Sequence, residues 1–132
     1  MNMFDFDGVV SIGLCPRPGD VIVTGRGFDE CEFVRTRLIE ILGPYLASKI
    51  PIFFNMKLKG QGRTRRDSAN HKADILAQLL SHGHQIETIF EDDPEQYTTL
   101  SLFINEYFDG PDRLIRRKKP KLCFINCPWI EK

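Results

Sequence analysis

The stretch Ile86-Glu87-Thr88-Ile89-Phe90-Glu91-Asp92-Asp93-Pro94-Glu95-Gln96-Tyr97 changes its structural period within a few residues. Residues 86–90 form a short apolar run of strand length. Pro94 stands where a helix tolerates proline best, at its first position, and Tyr97, Leu100 and Ile104 then recur at helical spacing up to about residue 107, before Gly110-Pro111. A strand that leads into a helix through three acidic residues is one βα unit of a parallel sheet.

Outward from that unit the pattern repeats. Residues 3–6, 21–24, 50–55 and 122–125 read as strands, and several are continuously apolar, as strands covered on both faces are. Residues 29–42 carry Cys31, Val34, Leu38 and Ile41 on one helical stripe, with an acidic first turn and a stop at Gly43-Pro44. Residues 68–82 begin at Ser68 as an N-cap, continue through Ala73, Leu76, Ala77 and Leu80, and close at Gly83. The expectation is one α/β domain over residues 1–132, three-layered and Rossmann-like, around a mostly parallel five-stranded sheet.

Composition agrees with a folded domain. The chain has 132 residues, 42% apolar and 27% charged, which is not the profile of a disordered tail. Lys and Arg number 18, as do Asp and Glu, so any attraction to nucleic acid or membrane has to come from local patches. No apolar run approaches the roughly 18 residues of a membrane span, and the start Met1-Asn2-Met3-Phe4-Asp5 lacks a signal peptide's basic and apolar regions, so a cytoplasmic protein with no membrane partner is expected. Cys15, Cys31, Cys123 and Cys127 form no C-x2-C pair, and free, buried thiols are expected rather than zinc ligands.

In an open α/β sheet, ligands bind beyond the carboxyl ends of the strands. The first strand ends in Asp5-Phe6-Asp7-Gly8 and the fourth in Glu91-Asp92-Asp93. If both strands are central and parallel, five carboxylates converge, and their repulsion calls for a cation among them. Mg2+ suits such hard oxygen donors. Each acidic end also has a plainer reading: Asp92 or Asp93 caps the helix at Pro94, and Asp7-Gly8 makes a turn.

The second strand ends in Thr24-Gly25-Arg26-Gly27, whose hydroxyl, amides and guanidinium suit phosphate oxygens if a glycine-rich turn meets a helix N-terminus there. A simple strand-to-helix loop is the alternative. Lys72, near the start of the helix read at 68–82, opposes the helix dipole, so it is either a surface lysine or a partner for the carboxylates and a transferring phosphoryl group.

These residues in this order resemble the haloacid dehalogenase superfamily of phosphatases. The first motif is similar to Asp5-Phe6-Asp7-Gly8-Val9-Val10, the second to Val21-Ile22-Val23-Thr24-Gly25-Arg26, the third to Lys72, and the fourth to Ile89-Phe90-Glu91-Asp92-Asp93. The resemblance implies that Asp5 attacks phosphorus to form an aspartyl-phosphate and that Asp7 serves as general acid and then base. It implies that Thr24 and Lys72 hold the phosphoryl oxygens. Mg2+ would be held by Asp5, the backbone carbonyl of Asp7 and the Asp92-Asp93 pair, with Asp93 preferred as the direct ligand. Only 16 residues separate Asp7 from Thr24 and 47 separate Thr24 from Lys72, so no large cap domain fits and an open site is implied.

The leading function is therefore a Mg2+-dependent phosphomonoesterase. The alternatives are a non-catalytic phosphate or nucleic-acid binding module and a phosphotransferase. Substrate class is suggested by charge placement: residues 57–72 hold Lys57, Lys59, Arg63, Arg65, Arg66 and Lys72 against Asp67 alone, and residues 113–121 hold six more basic residues and no acid. Such runs are often solvated faces. Beside an open site, however, Arg63, Arg65 and Arg66 with Gly25 and Arg26 suit a polyanion. The Thr24-Gly25-Arg26 turn is also similar to that of polynucleotide 3′-phosphatases and deoxynucleotidases, so a nucleic-acid phosphate end or a nucleotide is the expected substrate.

Overall fold

The computed structural model describes residues 1–109 and 118–126. Strands β1 (Met3–Phe4), β2 (Val21–Gly27), β3 (Ile52–Asn55), β4 (Thr88–Glu91) and β5 (Lys121–Phe124) form one sheet, parallel throughout, in the order β3-β2-β1-β4-β5. Helices α1 (Cys31–Leu42), α2 (Pro44–Ala47), α3 (Arg65–Ser81) and α4 (Pro94–Asp109) complete the fold. The chain builds outward from β1 to β3, then returns to the other side of β1 for β4. That reversal opens a crevice between the carboxyl ends of β1 and β4, where α/β sheets bind ligands.

Strand alternation makes the three layers. Met3, Val21, Val23 and Ile89 point to one face and pack with Leu76, Leu79 and Leu80 of α3 and with Leu100 and Ile104 of α4. Phe4 and Ile22 point to the other, with Val34 and Leu38 of α1. The central strands are thus covered on both faces, which accounts for their unbroken apolar runs. Among the described residues, the β1–β2 connection holds only a 3-10 turn at Val10–Ile12, and the segment between β3 and α3 only one at Lys59–Gln61, so no cap domain is inserted.

Several boundaries differ from the sequence reading, four of them for an evident local reason. β1 is two residues long because, after Asp5 N–H bonds the Phe90 carbonyl at 3.1 Å, the Asp5 carboxylate accepts the Phe6 N–H at 2.9 Å and the chain leaves the sheet. β2 is longer, running through Thr24-Gly25-Arg26-Gly27 and pairing Gly27 with Asn55 after a register shift. The turn expected there is therefore extended strand. α3 starts at Arg65, not Ser68, because Thr64 and Asp67 form a reciprocal capping box. Lys72 is consequently two turns inside the helix. Beyond α1, Gly43 adopts φ +83° and Pro44 begins α2, so the expected stop is a corner between two helices.

Cys31 and Cys123 are free and half-buried, whereas Cys15 is exposed, since the loop that carries it lies at the surface; Cys127 and residues 113–117 fall outside the described residues. No helix among the described residues is long and apolar enough to cross a membrane.

Candidate active site

Lys72 occupies a core position of α3, in line with Ala69 and Leu76, and only 1% of it is exposed. A lysine on an apolar helix stripe must find anions inside the protein. Its Nζ lies 2.9 Å from Asp5 Oδ1 at the end of β1 and donates to Glu91 Oε1 at the end of β4. Burial works against the ammonium, yet the two carboxylates outweigh it and hold its pKa above the ordinary lysine range. For Asp5 burial dominates. It pushes the carboxyl well above the usual range, Lys72 opposes this, and the nearby Glu91 adds to the rise.

Glu91 organises the acidic turn. Its Oε2 accepts the N–H groups of Asp92 at 2.9 Å and Asp93 at 3.1 Å while its Oε1 holds Lys72. Oxygens of Asp5, Glu91 and Asp92 all lie within 4.8 Å of one another. Gly8 makes that approach possible: with φ +76° it packs against Asp92, and a Cβ there would stand 1.8 Å from Asp92 Oδ2.

Asp93 is placed differently. Its Oδ1 accepts the N–H groups of Glu95 at 2.9 Å and Gln96 at 3.1 Å, the N-cap of α4, and its Oδ2 receives Arg65 at 2.7 Å. Burial would raise its pKa, but the helix amides and the Arg65 guanidinium hold it below the usual range. The capping alternative weighed for this acidic pair thus describes Asp93, and the metal-type cluster contains Asp92.

Asp7 sits at the rim, gripped by Arg26 through Nε at 2.8 Å and Nη2 at 3.1 Å. Arg26 also bonds Glu30 at 3.0 Å and lies over the Phe33 ring, 4.7 Å from its centroid. Glu30 in turn receives Arg63 at 2.9 Å and the Gly27 N–H at 3.1 Å. These donors hold its pKa down although burial pushes it up. Thr24 is fully buried, its Oγ1 accepting the Arg26 N–H at 3.1 Å. Two amides expected to cradle phosphate, those of Arg26 and Gly27, are therefore engaged by side chains of the same segment. At Gly25 a Cβ would stand 2.7 Å from Ser68 Oγ, so glycine lets α3 close onto β2.

Asp5, Asp7, Asp92, Arg26, Arg63, Arg65 and Lys72 line one cavity of about 340 Å³, together with Gly25, Asp93 and Gln96. Arg66 is not among them. One residue on from Arg65, it faces a groove between α3 and α4 beside Glu95 and Glu106, because adjacent helix positions point about 100° apart. Lys118, Lys119 and Lys121 lie at the amino-terminal end of β4, beside Thr88 and Glu87, remote from the carboxyl ends.

Sequence reasoning counted Glu91 only among the converging carboxylates, without its lysine partner, and gave no role to Glu30. The signal for Glu91 was its phase: two residues after Ile89, it faces α3, where only a cation makes it tolerable. Glu30 follows Arg26 by four residues but bridges a 3-10 turn, which helical periodicity does not register. No protein-family model, curated protein or solved structure matches this chain.

Proposed function

We propose that this chain is a Mg2+-dependent phosphomonoester hydrolase of the haloacid dehalogenase type, working through an aspartyl-phosphate on nucleic-acid phosphate ends or nucleotides. The observation that carries the reading is the convergence of Asp5, Lys72, Glu91 and Asp92 at the crevice between β1 and β4, with Asp7 at its rim. A helix cap needs one carboxylate, and Asp93 already supplies it.

The residues fit a divalent cation. The donors are hard carboxylate oxygens, and the space that a Cβ at position 8 would fill is kept for Asp92. Asp5, Asp92 and the backbone carbonyl of Asp7 would hold Mg2+, with Asp92 rather than the capping Asp93 as the direct ligand. Bound there, Mg2+ supplies positive charge that keeps Asp5 ionised and offsets charge on the phosphoryl oxygens.

The remaining chemistry belongs to the chain. An Asp5 oxygen attacks phosphorus as the ester P–O bond breaks, and Asp7 donates its proton to the departing oxygen. Asp7 then takes a proton from water as that water attacks the acyl phosphate, releasing phosphate and restoring Asp5. Arg26 orients Asp7 by its two-pronged grip. Lys72 spends two of its three donors on Asp5 and Glu91 and keeps the third for a phosphoryl oxygen. Thr24, fully buried and not among the residues that line the cavity, acts one step back, its hydroxyl oxygen accepting the Arg26 N–H. Arg63 and Arg65 bring positive charge to the mouth, which suits a polyanion.

The test is phosphate release from an aryl phosphate and from oligonucleotides phosphorylated at the 3′ or 5′ end. Release should need Mg2+, stop with chelator, and fall by several orders of magnitude in Asp5→Asn. Turnover that survives Asp5→Asn, or its absence under all metal conditions, overturns the reading.

A further inference from the structure

A second groove, of about 570 Å³, runs along the outer edge of β3 between α1 and α3. Its size is that of a small-molecule site, and its lining sets aromatic and aliphatic side chains beside polar and charged ones. Asn55 is 4% exposed, and its Oδ1 accepts the Lys57 N–H at 3.0 Å, which fixes the amide's orientation. Its Nδ2 is buried and has no acceptor among the described residues. Buried donors are nearly always matched, so this one calls for an acceptor beyond the described residues.

Around Asn55 the groove offers the other features of a planar heterocycle's site. Phe28 is 57% exposed and meets Phe54 edge-on, with centroids 6.1 Å apart, which leaves a ring face open at the groove. His71 Nε2 bonds the Phe53 carbonyl at 3.2 Å, so that nitrogen carries the proton and Nδ1 is an acceptor. The Asp74 carboxylate adds a second acceptor. Donor, acceptors and aromatic faces together match a nucleobase, whose edge carries both kinds of group and whose faces stack.

The groove is also next to the candidate site. Asn55 pairs in register with Gly27, so it lies one strand spacing, about 4.8 Å, from the β2 end that carries Arg26. Arg63, which lines the candidate site, reaches the Lys57 carbonyl beside Asn55 at 3.4 Å. Between the two sites stand Arg63, paired with Glu30 at 2.9 Å, and Lys57, paired with Asp67 at 3.1 Å, so a phosphodiester backbone crossing there would meet cations that already share carboxylates.

We infer that the β3 groove binds a nucleobase of the substrate whose phosphate lies at Asp5, an inference that rests on the function proposed above. Phe28 stacks on the base, Asn55 Nδ2 donates to a ring carbonyl or nitrogen, and Asp74 accepts from an exocyclic amine.

The test is calorimetric binding in chelator, where no turnover occurs. The probes are a cytidine trinucleotide phosphorylated at either end, its abasic counterpart, its unphosphorylated form and cytidine monophosphate. The trinucleotide should bind the wild type at least tenfold tighter than the abasic probe, and Phe28→Ala should remove about tenfold from the former and nothing from the latter. Asn55→Leu should act alike; since it also loses the bond to Lys57, the exposed Phe28 variant decides if Asn55→Leu fails to fold. Equal affinity for basic and abasic probes, equal loss on both, or no binding overturns the inference. Base-selective binding of the unphosphorylated probe without hydrolysis of any phosphate would keep the groove and sink the phosphatase reading. Hydrolysis without base selectivity would do the reverse. Cytidine monophosphate matching the trinucleotide would identify a mononucleotide as sufficient.

Discussion

Asp7 presents both carboxylate oxygens to Arg26, at 2.8 and 3.1 Å, and Arg26 is itself held by Glu30 and the Phe33 ring. Planar, two-pronged pairing fixes direction as well as charge, and a lysine cannot reproduce it. Arg26→Lys should therefore lower kcat by about tenfold or more, a part of the roughly 10²–10⁴ that acid–base catalysis supplies, while KM for a small aryl phosphate changes little. Steady-state kinetics on the purified variant checks this. A rise in KM at unchanged kcat would make Arg26 a substrate anchor instead.

Lys72 places its ammonium between two buried carboxylates, Asp5 and Glu91. Removing one partner of a buried ionic cluster strands the others, at about 3–5 kcal/mol. Lys72→Met should lose that much stability in urea denaturation, and the double variant Lys72→Met, Asp5→Asn should recover part of it. Additive losses would show that Asp5 and Lys72 do not interact energetically.

The layers of this fold were legible because both signals behind them are local. Apolar runs such as Val21-Ile22-Val23 and helical stripes such as Val34 and Leu38 depend only on sequence spacing. Asp5, Asp7 and Lys72 were legible as residue types at strand ends and on a helix. Their partners were not, because pairing is set across the sheet: Glu91 meets Lys72 through the β4 to α3 contact, and Asp93 meets Arg65 from 28 residues away. The choice between Asp92 and Asp93 depended on which one turns back to cap α4, and neighbouring aspartates in sequence do not reveal that.

Glu30 joins Arg26, Arg63 and the Gly27 amide, and these hold its pKa below the ordinary range against the opposing effect of burial. A carboxyl with a lowered folded-state pKa contributes stability above its unfolded value, about 4.3, and loses it as pH falls through the folded value. Glu30→Gln should thus cost about 1 kcal/mol at pH 7, a modest figure because the cluster is partly solvated, and the gap to wild type should close below about pH 4. Urea titrations at pH 7 and pH 3 measure both ends. A constant gap would assign the cost to packing.

Asp93 and Asp92 should separate in a metal titration. Asp93→Asn keeps an N-cap oxygen but loses the ion pair with Arg65, so it should lose less than about 1 kcal/mol and leave the Mg2+ requirement near wild type, whereas Asp93→Ala should lose about 1–2 kcal/mol. Asp92→Asn removes a carboxylate from the cluster with Asp5 and should raise the Mg2+ concentration for half-maximal activity at least tenfold. The opposite ranking would return the ligand role to Asp93.

Arg63 and Arg66 differ by three residues and by place, Arg63 just before the N-cap of α3 and Arg66 in its first turn. Arg63 lines the candidate site and is held by Glu30 and the Lys57 carbonyl, whereas Arg66 faces the α3–α4 groove. A cation that neutralises a substrate phosphate steepens the salt dependence of binding by about one unit in the logarithmic slope. Arg63→Ala should therefore raise KM for a phosphorylated oligonucleotide and flatten its salt dependence by about that amount, with aryl phosphate turnover nearly unchanged. Arg66→Ala should alter neither. Steady-state kinetics at several salt concentrations distinguishes them, and an equal response of the two variants would mean that the basic segment acts through its general field rather than through Arg63 at the site.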